Sequence, residues 1–186
     1  MTDMAEEKKK LLIVEDDTGL QKQLRWTFDD FEVLQAGNRQ EAIAHLRRSE
    51  PPVVLQDLGL PPDPDGVAEG MATLKEILSL APRTKVIVVT GNADRDNAVR
   101  AVGFGASDFY QKPLDTDVLR LIVDRAFHIH ALEEQNRALR ESQASSPLSG
   151  LIATDAGMLR VCSMVKKVAP TNVSVLILGE SGTGKE

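Results

Sequence analysis

Residues 10–130 of this 186-residue sequence predict an α/β fold, a doubly wound five-stranded parallel sheet with helices on both faces. Two observations predict it. Short β-branched runs alternate with amphipathic stretches, five times in succession. The strand runs are also continuously apolar instead of alternating, as expected where helices cover both faces of a sheet.

Each element follows from its local residues. Leu11-Leu12-Ile13-Val14 is the first strand, and Gly19 to Phe28 a helix with Leu20, Leu24 and Phe28 on one face at spacing four. Val33-Leu34 is a weaker second strand. The next helix opens at Asn38 as N-cap with Glu41 at the third helical position, a capping-box pattern, and its apolar face is Ala42, Ile43 and Leu46. Pro51-Pro52 ends that helix, and Val53-Val54-Leu55 begins a third strand that runs into Asp57. Residues 59–66, Gly-Leu-Pro-Pro-Asp-Pro-Asp-Gly, form a loop rich in turn residues. A helix through Met71, Leu74, Ile77 and Leu78 follows, then the strand Val86-Ile87-Val88-Val89. A helix from about Asp94 carries Ala98, Val99 and Val102, and a fifth strand covers Ser107 to Tyr110.

From Asp115 to about Ser142 there is neither Gly nor Pro, more than twice the roughly 11 to 12 residues of an average helix. Ile122, Ile129 and Asn136 fall at heptad position a and Val118, Leu132 and Leu139 at d, with Arg125 the poor match. An Asn at a specifies register and dimerisation, which favours a two-stranded coiled coil over a single solvated spacer. Ser142 to Gly150 reads as a flexible linker.

Apolar residues make up 42% and charged residues 27%, an ordinary globular composition that argues against disorder and repeat arrays. The net charge of −6 is uneven: residues 142–186 carry Arg160, Lys166, Lys167 and Lys185 against Asp155, Glu180 and Glu186, a net of +1, which leaves −7 on residues 1–141. An acidic body is a poor docking surface for a polyanion, so DNA binding is expected only through regions outside this chain. The single cysteine, Cys162, permits no intrachain disulfide. The four apolar residues Leu11 to Val14 after Lys8-Lys9-Lys10 are too few for a signal core or a membrane span. A reducing, cytoplasmic location without membrane contact is expected. His45, His128 and His130 have no partners at metal-ligand spacing, and Trp26 is expected to be half-buried in helix packing.

In parallel sheets of this kind ligands bind beyond the carboxyl ends of the strands. The first strand ends in Glu15-Asp16-Asp17, the third in Asp57, the fourth in Thr90-Gly91 and the fifth in Gln111-Lys112-Pro113. Taken singly, each is weak: acids after a strand often only solubilise a loop, Lys-Pro is often only a turn, and Thr90 can be an ordinary strand-end hydroxyl. As an ordered set they describe chemistry. Packed carboxylates repel unless a cation compensates, and oxygen-only ligands suit Mg²⁺ better than zinc or copper, so Glu15, Asp16 and Asp57 are the candidate metal residues. A carboxylate at such a site can attack phosphorus and become an acyl phosphate. Lys112 and the Thr90 hydroxyl would stabilise the charge that phosphoryl transfer spreads over three oxygens.

Across about residues 10 to 130 the sequence resembles the receiver domain of two-component response regulators. The motifs that carry the resemblance are Leu11-Leu12-Ile13-Val14-Glu15-Asp16-Asp17, Val53-Val54-Leu55-Gln56-Asp57, Val88-Val89-Thr90-Gly91 and Gly105-Ala106-Ser107-Asp108-Phe109-Tyr110-Gln111-Lys112-Pro113. The resemblance implies a flavodoxin-like sheet of strand order 2-1-3-4-5, Asp57 as phospho-acceptor, and Glu15, Asp16 and the Gly59 carbonyl as its metal partners. It also implies Thr90 and Phe109 as a switch pair, Lys112 against the phosphoryl group, a cis Lys112-Pro113 peptide, and a cognate histidine kinase as partner. Gly59 and Asn92 would border the path of water to the phosphoryl group, so Gly59→Arg is expected to shift the phospho-Asp lifetime. Gln56 departs from the apolar residue many members carry there.

Val173 to Leu178 reads as a further strand, and it runs into Gly179-Glu180-Ser181-Gly182-Thr183-Gly184-Lys185-Glu186. This is a G-x-x-x-x-G-K phosphate loop in which Glu186 stands in place of the usual Ser or Thr. Together with Met158-Leu159-Arg160 and Lys167-Val168-Ala169-Pro170, it resembles the opening of the AAA+ domain of sigma-54-dependent activators. The wording of residues 57–66 and 118–127 is closest to the subgroup associated with PEP-CTERM/exosortase exopolysaccharide systems. The expected organisation is a tail over 1–9, a receiver over 10–128, an extended helix and dimer linker over 115–141, a flexible linker over 142–150 and a truncated AAA+ start over 151–186. ATP would bind in the full-length protein only, and no ATP hydrolysis is expected from this chain. The leading expectation is a phosphorylation-dependent regulator of sigma-54 transcription that dimerises through the receiver face and residues 115–141, reaching sigma-54 RNA polymerase and DNA only through regions absent here. The rival readings are a P-loop ATPase with a passive receiver and a pseudo-receiver that only mediates protein contacts.

Overall fold

The computed structural model describes residues 8–91, 95–144, 155–172, 174–176 and 178. The chain divides into two compact units, Met1–Gln135 and Asn136–Glu186. In the first, β1 (Lys10–Val14), α1 (Thr18–Thr27), β2 (Glu32–Ala36), α2 (Arg39–Ser49), β3 (Val53–Asp57), α3 (Ala68–Leu80), β4 (Lys85–Thr90), α4 (Arg95–Gly103) and β5 (Asp108–Gln111) alternate along the chain. The strands form one sheet in the order β2-β1-β3-β4-β5, every pair parallel.

The apolar strand runs explain the layering. Successive side chains of a strand point to opposite faces, so Leu12 and Val14 enter one core with Ala42, Ile43, Leu74 and Ile77. Leu11 and Ile13 enter the other with Leu24, Phe28, Leu119 and Val123. α2 and α3 thus cover one face; α1 and α5 (Thr116–Ala144) cover the other. Phe31 closes the second core at its edge, stacked on Phe127 at 5.1 Å between ring centres.

Two helix starts in this unit are capped by local side chains, Asn38 as the sequence predicts and Asp17 in addition to it. Asp17 accepts from the Gly19 and Leu20 amides ahead of α1, and Asn38 accepts from the Glu41 amide at 3.0 Å ahead of α2. The returning arm of that capping box differs from the usual one: Glu41 accepts from the Gly37 amide at 2.8 Å and from the Asn38 side-chain amide at 2.9 Å. α2 ends on Glu50 in the left-handed region, at φ 43°, where the following Pro51-Pro52 bars a further helical turn. The Pro61-Pro62 and Lys112-Pro113 peptides are both cis.

Three expectations are corrected. Trp26 is 82% exposed: Leu24 and Phe28 fill the inward face of α1, and position 26 lies on the opposite side of the helical wheel. On α4, contact with the sheet falls to Ala98 and Ala101, which let the helix come close, while Val99 and Val102 face outward. Ser174–Leu176 and Leu178 have no regular structure where a strand was expected. A strand requires a neighbour for its ladder, and the described residues of that unit contain none.

α5 spans 29 residues and runs to Ala144, into the stretch expected as linker from Ser142. Its inward face is Leu119, Val123, Ala126 and Phe127. Of the predicted heptad seam, Ile122 packs into the chain's own core, whereas Val118, Ile129, Leu132 and Leu139 are exposed. In the second unit, α6 (Ala156–Val168) is capped by Asp155 and leaves Met158, Leu159, Val161 and Met164 exposed. Residues 145–150 and Gly179–Glu186 lie outside the described residues. Among the described residues no helix is long and apolar enough to cross a membrane.

Candidate functional site

Parallel register brings four strand ends to one rim. Val14 lies beside Gln56 and Asp57 beside Val89, so the residues after β1, the last residue of β3 and the last residue of β4 become neighbours. Thr90 pairs with Gln111, and the Lys112 amide bonds to the Thr90 carbonyl at 2.8 Å, which starts the Lys112 side chain from the same rim.

The side chains converge as well. Lys112 Nζ donates to Asp57 Oδ2 at 2.7 Å and to Glu15 Oε2 at 3.0 Å. Glu15, Asp57 and Thr90 are buried and Asp16 is half-buried. Glu15, Asp16 and Asp57 each offer one carboxylate oxygen, and these oxygens lie within 4.8 Å of one another. The Gly59 amide donates to Asp57 Oδ1 at 3.3 Å, and the Asp17 amide to Glu15 Oε1 at 3.4 Å.

Two carboxyl groups share the Lys112 ammonium and a third, on Asp16, lies beside them, so the cluster is short of positive charge, and the electrostatics reflect it. Burial, then the adjacent Asp57 charge, push the Glu15 carboxyl up to about 7, against the partial relief given by Lys112. Burial pulls the Lys112 pKa down, but its hydrogen bond to Asp57 and the charges of Asp57 and Glu15 outweigh that and leave it raised. Asp17, the α1 cap, is held below its ordinary value by the Leu20 and Gly19 amides. An all-oxygen donor set short of positive charge, with Asp16 half-exposed, fits a hard divalent cation such as Mg²⁺.

Every receiver residue expected at the strand ends is on this rim, while Phe109, on β5, is 43% exposed. Asn92 and the phosphate loop Gly179–Glu186 lie outside the described residues. Among the described residues His45, His128 and His130 join no metal-capable cluster. Gly59 carries a constraint that residue type alone does not reveal: a Cβ there would stand 2.4 Å from the Pro64 carbonyl oxygen. Gly59→Arg therefore displaces the 59–66 loop, and any change in phospho-Asp lifetime would mix water access with loop movement. Gln56 is wholly buried, and its Nε2 donates to the Gly70 carbonyl in α3 at 2.6 Å. The only signal of that bond in the sequence is a polar residue inside an apolar strand.

Comparison with known proteins places this geometry. Residues 11–124 match the response regulator receiver domain, and residues 151–186 match the sigma-54 interaction domain. The regulatory protein AtoC of Escherichia coli is 37% identical over 180 residues, covering 95% of this chain and 38% of its own length. The DNA-binding transcriptional regulator NtrC of Klebsiella pneumoniae is 34% identical over 94% of this chain and 36% of its own. Among solved structures, NtrX from Brucella abortus in complex with ADP superposes with a TM-score of 0.66 at 28% identity, over 89% of this chain and 36% of that one. The signal receiver domain of a Luxo repressor protein from Vibrio parahaemolyticus gives 0.63 at 28% identity, over 69% of this chain and 96% of that one. The chain thus spans a little over a third of the length of these curated relatives. With the family match running through all five strands and every rim residue, the chain belongs to the response regulator receiver family, and its residues 151–186 belong to the start of a sigma-54 interaction domain.

Proposed function

We propose that the chain is a phosphorylation-controlled switch in which Asp57 takes a phosphoryl group from the phosphohistidine of a partner kinase. One observation carries the reading: Asp57 ends β3 with its carboxylate on the Lys112 ammonium, which also binds Glu15, and Asp16 completes a three-oxygen cluster. An Asp57 oxygen attacks phosphorus as the P–N bond breaks; the imidazole nitrogen leaves with the bonding pair, and an acyl phosphate forms. Lys112 holds the carboxylate before transfer and meets the phosphoryl oxygens after it. Bound Mg²⁺, held by Glu15, Asp16, Asp57 and the Gly59 carbonyl, would neutralise charge on the transferring group. Hydrolysis by water returns Asp57.

New charge at Asp57 draws the Thr90 hydroxyl and Lys112 inward, and half-exposed Phe109 moves with Thr90 as the outward half of the switch. The signal leaves through the β5 face and α5, which supports a homodimer formed along residues 115–141. In the full-length protein, ATP at Gly179–Glu186 would drive an AAA+ module that contacts sigma-54 RNA polymerase, with DNA binding elsewhere, in the cytoplasm. The assignment to the exosortase-associated subgroup rests on the wording of residues 57–66 and 118–127.

Incubation with acetyl phosphate and Mg²⁺ tests the reading: intact-mass measurement should find one phosphoryl group on wild type and none on Asp57→Ala. Phosphate on both proteins, or on neither, would sink it.

A further inference from the structure

We propose that Gln56 is a positioning residue for the phosphorylation site, an amide clip that holds the backbone beyond Asp57 against the first turn of α3. The inference rests on the phospho-receiver reading above and assigns a role to the polar residue that precedes Asp57 in β3.

Gln56 is 0% exposed and lies on the same sheet face as Val54, whose surroundings are the aliphatic core under α2 and α3. Its Nε2 donates to the Gly70 carbonyl at 2.6 Å and, at 3.3 Å, to the carbonyl of Asp57 itself. Its Oε1 is buried and accepts from no group among the described residues. α3 starts at Ala68 with no side-chain cap from Val67, and the Gln56 amide ties its first turn to β3 by a hydrogen bond. A Cβ on Gly70 would stand 2.3 Å from the Leu58 oxygen and 2.4 Å from the Leu58 Cα, so the α3 backbone lies directly on Leu58. Residues 57–59 are therefore held between the Gln56 amide and α3. From that stretch come the Asp57 carboxylate and the Gly59 amide that donates to it.

Stability does not account for this residue. An amide in an aliphatic core with an unpartnered oxygen is less favourable than an apolar side chain of the same shape, and the Gly70 carbonyl sits within α3, where the helix provides its own donor. What an apolar replacement would lose is the fixed course of residues 57–59, and with it the placement of the donor oxygens.

Gln56→Met, with Gln56→Leu as a second variant should the thioether repack badly, separates the two effects. Thermal unfolding, calorimetric titration with Mg²⁺ alone, and phosphate uptake from acetyl phosphate at saturating Mg²⁺ are measured on wild type and both variants. The expected result is a melting temperature equal to or above wild type together with Mg²⁺ affinity weakened about tenfold, the lower end of what a residue behind a metal ligand costs, and slower uptake. Variants that bind Mg²⁺ and take up phosphate as wild type does overturn the inference and leave the site reading intact. Losses that appear only in step with a lowered melting temperature also overturn it, because they assign Gln56 to the core. Wild type that binds no Mg²⁺ and takes no phosphate brings down the site reading and this inference with it.

Discussion

Replacing Glu15 by Gln should change how stability depends on pH, and by an amount the site geometry sets. Glu15 is 3% exposed; burial and then the Asp57 charge move its carboxyl from an ordinary 4.5 to about 7. Because the folded value lies above the unfolded one, the folded protein keeps a proton that the unfolded chain releases. The associated stability is fully present below about pH 4.5 and is lost as pH rises through about 7. Each pH unit in that interval is worth about 1.4 kcal/mol, so the loss reaches about 3 kcal/mol at pH 8. Gln is neutral throughout and shows no such loss. His130, whose pKa is lowered first by burial, acts in the opposite sense, with stability lost as pH falls, but it is common to both proteins and cancels in the difference. Urea unfolding followed by circular dichroism in EDTA, from pH 4.5 to 8, measures that difference. It should grow with pH in favour of Glu15→Gln by about 3 kcal/mol, and adding Mg²⁺ at pH 8 should shrink it by stabilising wild type. A difference that stays flat across the window would refute the account of Glu15 as a carboxyl short of compensating charge.

Other perturbations read different parts of the fold. Leu119→Ala removes a wholly buried side chain of α5 from the second core and should cost about 2–5 kcal/mol by denaturant titration. Gly70→Ala should destabilise by about 1–3 kcal/mol in the same assay, despite alanine's better helix propensity, since its Cβ would stand 2.3 Å from the Leu58 oxygen. Trp26→Ala should stay within about 0.5 kcal/mol of wild type, and wild-type fluorescence should peak where a solvated indole emits. Lys85→Met removes the donor to both Glu133 oxygens, at 2.8 and 2.7 Å; hydrogen exchange should speed up in α5 beyond His128, with a salt-sensitive stability loss below about 1 kcal/mol.

Much of the fold was legible because its signals are local. The N-cap Asn38 acts within three residues of itself, and the core faces of α1 and α2 follow from a spacing of three and four. The strand ends were legible because parallel sheets gather them on one side. Local signals also have limits: Trp26 is large and apolar but lies on the outward face of α1, and Val173 to Leu178 has a strand's composition while the described residues of its unit offer no strand to bond it.

The sequence by itself determined the order of elements, the two-faced burial of the sheet, and the identity of the acids, hydroxyl and ammonium at its carboxyl edge. Only the tertiary structure decided how those groups interact. Lys112 meets Glu15 across 97 positions of chain, Glu15 holds its proton to about pH 7 because of where it is buried, and Gly59 has no room for a side chain because Pro64 folds back over it. Periodicity and capping are set by neighbours along the chain, whereas desolvation, charge compensation and close backbone approach depend on which distant segments arrive at the same place. Gln56 belongs to the second kind: its partner is the Gly70 carbonyl, a backbone group whose position no side-chain pattern encodes.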